Sequence, residues 1–419
     1  MKLSSQKKIL VIAESIDVED SSGSKANVAL IINLKSAGFE VLVYHYTRKE
    51  ITLDSIPCIA IKENRKSLLF YLSRLQRKFQ HIFNWNLAKY LEPWFGFSFT
   101  FLNDSKSISN SIRSIKEFDP DLVLTLSKGA SFRPHHALLV LPELHDKWMA
   151  YIHDPYPFHY YPEPYTWSEP GYKQKVDFFR KVSEKCRWAA FPSLLLAEWM
   201  QQPFPQFKER ATIIPHQIIK EEHENNLELP EYFDPEKFNL LHAGNLMKQR
   251  NPVPLIEAFQ IFLKNNPDAI NDARLLFLGN GSFYIENLKA RQKGIKQLYV
   301  SEGYVAYDLV VKMQFETSVN IILESVAEVS PFLPGKFPHC IAAKKPILHL
   351  GPEKSEVRRL LGIDYRYWAE ANTVEKISSI IENLYFSWKA NGNNLEQDRD
   401  DLNRYLSLAF LKKQINNLN

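Results

Sequence analysis

The sequence predicts an α/β chain made of two parallel-sheet domains in tandem, and three observations carry that reading. Short continuous apolar runs alternate with stretches of helical periodicity, the pattern of βα units in a buried parallel sheet. The alternation begins at Ile9 and starts again at Phe238, after an acidic stretch with no periodic apolar face. The length, 419 residues, suits two or three domains of roughly 150 residues each.

Each element follows from its residues. The apolar run at 9–13 reads as the first strand, and the polar loop at 20–27 follows it. Val28, Ile31, Ile32 and Leu34 then mark a helix that ends near Gly38, a natural residue just past a helix end. The next strand is 39–44, which completes a βαβ unit with a right-handed connection. Further strands read at 121–126, 148–152, 188–191 and 212–214. In the second half, 238–243 is a strand, 244–251 a loop, and 252–263 a helix with Leu255, Ile256, Phe259 and Phe262 on one face. Strands follow at 275–278 and from Pro346 onward. The amphipathic stretch 395–415, with Leu402, Tyr405, Leu406, Ala409, Phe410 and Ile415, is expected to form one helix. These readings place a first Rossmann-type domain at 1–214, a linker at 215–235 and a second domain at 236–394.

Composition excludes several classes. Hydrophobic and charged fractions of 45% and 24% argue against disorder. Cys58, Cys186 and Cys340 lie far apart and form no CxxC, which rules out a disulfide scaffold and favours a reducing compartment. The polar start and the short run at 9–13 do not make a signal peptide, and no run of about 18 apolar residues occurs to span a membrane. A net charge of +4 is too mild to make nucleic acid the expected partner.

Two regions depart from a plain Rossmann layout. Residues 62–94 interleave Lys62, Arg65, Lys66, Arg74, Arg77 and Lys78 with Leu69, Phe70, Leu72, Leu75 and Phe79. They read either as a basic amphipathic helix at an anionic membrane surface or as a domain helix with a core face and a solvated basic face. The stretch 151–172, crowded with Tyr, Pro, His and Trp, either lines a cleft or is a rigid packed loop.

Familiar catalytic signatures (GxxxxGK[ST], HExxH, GxSxG) are absent. Gly279 and Gly281 follow a strand, but Tyr284 stands where a dinucleotide fingerprint needs its third glycine, so that turn reads as structural. Asp119 and Asp121 have DxD spacing, but flank a proline before a strand, where a turn is the simpler reading. Three elements remain. Gly23, Ser24 and Lys25 lie between the first strand and its helix, where an open parallel sheet meets its ligands. Lys248 and Arg250 stand just before the helix of the second half, where two cations suit a diphosphate better than they suit the helix dipole. A tight Pro/Gly loop at 330–336 leads into a short helix, on which Lys336 and His339, three apart, are expected to share a face.

In this order, these elements resemble those of GT-B glycosyltransferases, especially the retaining family-4-like enzymes of bacterial polysaccharide and glycoconjugate assembly. Residues 244–259 resemble the family's G-R-L…K-G/N…L-I-x-A-F segment, 276–281 its V-x-G-x-G turn, and 302–305 its G-Y/F-V loop near the base. Residues 330–347 resemble S-P-x-L-P-x-K…K-P-I, and 127–136 with 151–156 resemble S-x-P-x-S-x-H…D-P-W. The resemblance covers nearly the whole chain, densely from 238 to 350.

It implies two Rossmann-type domains facing across a cleft, the C-terminal helix 395–419 packing back on the first. The first domain would bind the acceptor, the second a nucleotide-sugar, and domain closure would align them. Arg250 takes the place of the family's phosphate-binding Lys, and Lys336 lies beside the diphosphate. Gly244, Asn245 and the backbone of Ser330 through Gly335 border donor phosphate and sugar. His153 matches the active-site His that contacts the donor sugar, with Asp154 beside it, and Gly23 and Ser24 border sugar and acceptor. Tyr304 either stacks on the base or fills the core. His135 and His136 read as first-turn helix residues with no chemistry. There are two departures: Asn245 stands where many members have Arg, and His339 where a ribose-binding Glu is expected.

The implied activity is sugar transfer from a nucleotide-sugar to a glycan or lipid-linked glycan, with retention and without a metal or other cofactor. The expected setting is the cytoplasm, at the inner membrane face if residues 62–94 make a peripheral membrane contact. A non-catalytic sugar- or nucleotide-binding protein and a sugar-nucleotide epimerase are the alternatives. The choice of base, sugar and acceptor rests on a few pocket contacts.

Overall fold

The computed structural model describes residues 6–83, 88–219, 227–281 and 283–418. The chain divides into two compact units, the first running to Ile219 and taking back residues from Leu406, the second running from Lys220 to Tyr405 with residues 162–164.

The first unit is built on seven strands: β1 (Lys8–Ala13), β2 (Glu40–His45), β3 (Cys58–Ala60), β4 (Leu122–Leu126), β5 (Trp148–Tyr151), β6 (Trp188–Phe191) and β7 (Ala211–Ile213). They form one parallel sheet in the order β3-β2-β1-β4-β5-β6-β7. Both faces of β1, β4 and β5 are buried, which is why these runs are almost wholly apolar, whereas β2 alternates buried and half-buried positions. Leu10 and Ile12 enter one core while Ile9, Val11 and Ala13 enter the other. The strand order reverses direction between β1 and β4, so ligands are expected at the carboxyl ends of those strands.

The second unit repeats the plan with β8 (Phe238–Ala243), β9 (Ala273–Leu278), β10 (Leu298–Val300), β11 (Val319–Leu323), β12 (Val329–Ser330), β13 (Ile347–Leu350), β14 (Lys354–Ser355) and β15 (Trp368–Ala369). Its main sheet runs β10-β9-β8-β11-β13-β15, and β12 pairs with β14 separately. Here the reversal falls between β8 and β11. The helix Val253–Asn265 puts Leu255, Ile256, Phe259 and Phe262 into a core shared with Tyr385 and Trp388 of the helix Val374–Ala390.

Several expectations need correction. The short strands β3, β10 and β15 carry too few residues for a periodic signal, and pairing with a neighbour defines them. The single C-terminal helix is two, Asp400–Tyr405 and Leu408–Asn416, because Ser407 caps a new helix by accepting the Phe410 N–H at 3.2 Å. Leu395 joins the second unit's core, whereas Leu411 and Ile415 join the first unit's.

The joint is also narrower than 215–235. Asn33 donates to the Ile218 carbonyl at 2.7 Å, Phe233 is buried, and Tyr232 stacks on Tyr299 with ring centroids 3.8 Å apart. Glu221, Glu222 and Glu224 of the acidic stretch lie outside the described residues. The aromatic stretch 151–172 is a packed loop: Phe158 lies against Tyr161 and Trp167, and buried Lys175 bonds Glu169 at 2.5 Å.

Leu411 is fully buried against the first sheet's helical layer. Leu411→Ala should therefore cost the first unit about 2–5 kcal/mol, read as a lower midpoint in urea unfolding.

Candidate functional site

In the second unit, β8 and β9 are in register with Ala243 opposite Leu278, so the chain leaves both strands side by side at Gly244 and Gly279. Both glycines have positive φ, +140° and +122°. A Cβ on Gly279 would sit 2.8 Å from the Gly244 carbonyl oxygen, so the two turns approach as closely as backbone allows. The turn expected to be structural is so, and Asn245 reinforces it by accepting the Asn280 N–H at 3.1 Å.

The next strand end carries a residue that sequence reasoning missed. Glu324, just past β11, is buried, and Ser330 and Ser355 each donate a hydroxyl to it at 2.6 Å. His349 Nε2 lies 2.6 Å from the same carboxylate. One side chain thus ties together β12, β13 and β14 and anchors the root of the 330–336 loop. The available signal was an acid ending the apolar run at 319–323.

That loop delivers Lys336, whose Nζ donates to the Ile321 carbonyl at 3.0 Å. The same nitrogen lies 3.9 Å from where a Cβ on Gly244 would stand. Burial pushes the Lys336 amine down to about 7, and the nearby Arg250 cation acts in the same direction. His242, two residues before Gly244 on β8, is buried near the same two cations, and burial holds its imidazole neutral, well below the usual histidine range. Lys336, Arg250, Gly244 and the foot of the 330–336 loop therefore lie near one another.

His339 is placed differently. Its Nε2 lies 3.0 Å from the Tyr307 hydroxyl on the helix Tyr307–Glu316, while Lys336 turns to β11. The two do not form a shared face, because each side chain is claimed by a different neighbour. Tyr304 is 65% exposed, which removes the core-filling reading. Gly335 is also exposed, with open space at its Cβ position. Lys248 stands over the Phe283 ring at 5.7 Å.

In the first unit, Ser21 caps the helix Ser22–Ser36 by accepting the Ser24 N–H at 3.1 Å. A Cβ on Gly23 would lie 3.0 Å from the Gly129 nitrogen, so glycine lets the loop after β4 pack against the helix start. Asn27, a second missed residue, donates its amide to the Ser15 carbonyl at 3.2 Å and the Ser127 carbonyl at 3.1 Å. Both donors being used, its oxygen accepts from His153 Nε2 at 3.0 Å. That bond leaves Nδ1 as the acceptor nitrogen of His153. Burial drives this histidine's pKa well down, with His216, stacked 5.9 Å away, adding to the shift. Asn27 was readable only as a polar residue one position before Val28 in an apolar helix pattern.

Beside this group, Arg133 bridges Glu14 at 2.6 Å and Asp104 at 3.0 Å, and Asp104 also accepts from the Tyr46 hydroxyl at 2.7 Å. His135 and His136 are helix residues with structural bonds to the Tyr151 carbonyl and the Ser105 hydroxyl. Asp154 follows His153 half-buried. Asp121 caps the start of β1 by accepting the Lys8 N–H at 2.7 Å, and Asp119 pairs with Lys147 at 2.8 Å. The two carboxylates are engaged apart.

No protein-family model and no curated protein matches this sequence. Solved structures do match in fold. The E. coli trehalose-6-phosphate synthase bound with UDP-2-fluoro glucose is similar at 11% identity, over 98% of this chain and 99% of that one, with a TM-score of 0.60. The UDP-forming α,α-trehalose-phosphate synthase of Burkholderia vietnamiensis matches at 10% identity over 99% and 97%, with a TM-score of 0.63. WaaG, a glycosyltransferase involved in lipopolysaccharide biosynthesis, matches at 11% identity over 97% and 98%, with a TM-score of 0.57. The chain has the GT-B fold.

The glycine pair makes a direct prediction. Gly279→Ala, at positive φ and against a carbonyl, should cost about 1–3 kcal/mol of stability. Gly335→Ala, in open space, should leave the melting temperature unchanged within about 1 °C.

Proposed function

We propose that this protein is a glycosyltransferase that moves a sugar from a nucleotide-sugar to a glycan or lipid-linked acceptor. The observation that carries the reading is the gathering of two cations, Lys336 and Arg250, near the glycine turn at the second unit's strand ends. Lys336 is desolvated enough to bring its amine to about 7, with Arg250 opposing it, beside the glycine turn at Gly244. Two half-buried cations held near one another favour an anion as their ligand. A nucleoside diphosphate supplies that anion, and the UDP-sugar bound to a protein of the same fold supports this choice of donor.

In the proposed reaction the bond between the anomeric carbon and the diphosphate oxygen breaks. An acceptor hydroxyl oxygen bonds to that carbon from the same face, and its proton passes to the departing phosphate. Charge growing on the leaving group is met by Arg250, Lys336 and the backbone N–H groups of the 330–336 loop, so no metal ion is required. The first unit takes the acceptor at the ends of β1, β4 and β5, where Gly23, Ser24 and His153 lie. Neutral His153 offers its Nδ1 to a sugar hydroxyl, with Asn27 fixing the ring. The setting proposed is the cytoplasmic face of a membrane.

One observation favours a second reading, a nucleotide-binding protein without transferase activity. His339 is bonded to Tyr307 and Asn245 to Asn280, so two positions that face the donor in the family pattern are occupied by internal contacts. Calorimetric titration with UDP, GDP, ADP and dTDP, followed by donor turnover, separates the two. Transferase activity should fall at least about 100-fold in Arg250→Ala with the fold intact. Turnover near wild type in that variant would remove Arg250 from the site, and nucleotide binding without turnover would select the second reading.

A pH dependence follows as well. The free Lys336 amine titrates at about 7, and a bound diphosphate raises that value because it favours the ammonium. Affinity for an intact nucleotide-sugar, whose diphosphate stays fully ionised, should therefore fall as pH rises above about 7, by up to about tenfold per unit. Binding at neutral to mildly alkaline pH should take up a proton, measurable by calorimetry in buffers of different ionisation enthalpy. Lys336→Met should abolish both effects.

A further inference from the structure

Residues 62–83 and 88–95 expose a series of large apolar side chains among basic ones. The helix Leu68–Phe83 turns Leu68, Tyr71, Leu75, Phe79, Ile82 and Phe83 outward, all exposed and spaced three or four apart along one face. Leu68 is 73% exposed. Among the helix's described residues, the one that is buried is Ser73, which bonds back to the Phe70 carbonyl. Leu69, Phe70 and Leu72 are half-buried on the helix's packed side, while the apolar stripe from Leu68 to Phe83 points away from the protein.

A second helix, Ala88–Phe95, follows in the chain and is exposed as well. Tyr90 and Trp94, four residues apart, are 69% and 82% exposed, and Phe95 is exposed beside them. This helix is held firmly from within. Glu92 accepts from the buried Lys175 at 3.3 Å, and a Cβ on Gly171 would stand 2.4 Å from the Glu92 carbonyl, so two backbones are pressed together there. Its aromatic residues are therefore presented outward by an anchored element.

Charge identifies the occupant. Between residues 62 and 95 seven Lys and Arg face two acids, a net +5 against +4 for the whole chain. Arg74 stands over the Phe70 ring at 4.7 Å, and Arg77 and Lys78 are exposed within the helix. A second copy of the chain docking through this face would bring like charges together, since a twofold contact pairs the patch with itself. An anionic lipid surface meets both requirements, accepting Trp, Tyr and Leu below its headgroups and cations beside them. No helix among the described residues is long and apolar enough to cross a membrane.

We infer that residues 62–83 and 88–95 dock the first unit onto an anionic lipid bilayer, both helices lying in the headgroup layer. The inference deepens the acceptor half of the glycosyltransferase reading, placing the acceptor domain where a lipid-linked glycan is reached. Nucleotide titration reports on the donor half, so the two can fail separately.

The test is flotation of the full-length protein with phosphatidylcholine vesicles, with and without phosphatidylglycerol, at low and high salt. The protein should float with the anionic vesicles only, and high salt should release it. Leu75→Ser with Trp94→Ser, or Arg77→Ala with Lys78→Ala, should each weaken vesicle partition at least about tenfold. Circular dichroism and nucleotide affinity should stay unchanged, because these side chains are exposed and outside the donor site. Absence of flotation at low salt, or flotation indifferent to both double variants, would overturn the inference. So would a concentration-dependent dimer that Leu75→Ser disperses while vesicles leave the wild-type protein unbound.

Discussion

The buried carboxylate of Glu324 is the interaction on which the second unit's strand ends depend. Left alone, an ionised carboxylate in that position would cost several kcal/mol of lost hydration. Two serine hydroxyls and the His349 ring surround it instead, each 2.6 Å away. Each partner comes from a different strand, so satisfying one charge also fixes where β12, β13 and β14 meet. The 330–336 loop starts from that knot, and its length then sets where Lys336 arrives. An apolar residue at 324 would bury as well but would place nothing.

The opposite charge is handled in a different way. Lys336 donates to a single carbonyl and has Arg250 as an unfavourable neighbour, so its ammonium is only partly compensated. Partial compensation is the cost of keeping a cation ready for a ligand. The neutral histidines serve the same economy: His242 lies near the two cations without adding a third charge, and His153 is locked by Asn27 into one tautomer. Glycine at 244 and 279 lets the two strand ends approach while the surrounding backbone remains paired.

The first unit divides its apolar residues between two uses. Leu10, Ile12 and their neighbours are buried on both faces of the sheet, where they supply the folding free energy. Leu68, Tyr71, Leu75 and Trp94 are held in water by helices that contribute little to that core. Exposing them lowers solubility and gains no stability, so their value lies in what they meet outside the protein. The buried Lys175 and its two carboxylates keep the second of these helices in place.

Much of this molecule was determined by sequence alone. The runs at 9–13, 238–243 and 275–278 read as strands because a sheet covered on both faces favours apolar residues at nearly every position, Asn239 and His242 being buried polar exceptions, and that signal is local. The helix at 252–263 was equally plain from its spacing. The order of Gly23, Gly244, Arg250 and Lys336 along the chain marked the strand ends that matter, since in a doubly wound sheet those ends lie near the direction reversal. Tertiary structure decided the rest. Glu324 and Asn27 matter through partners 6 to 126 residues away, and no local pattern announces such bonds. The pairing of His339 with Tyr307 and the outward turn of the Leu68–Phe83 stripe are of the same kind. Periodicity shows that a helix has an apolar face, but only packing decides whether that face looks into the protein or away from it.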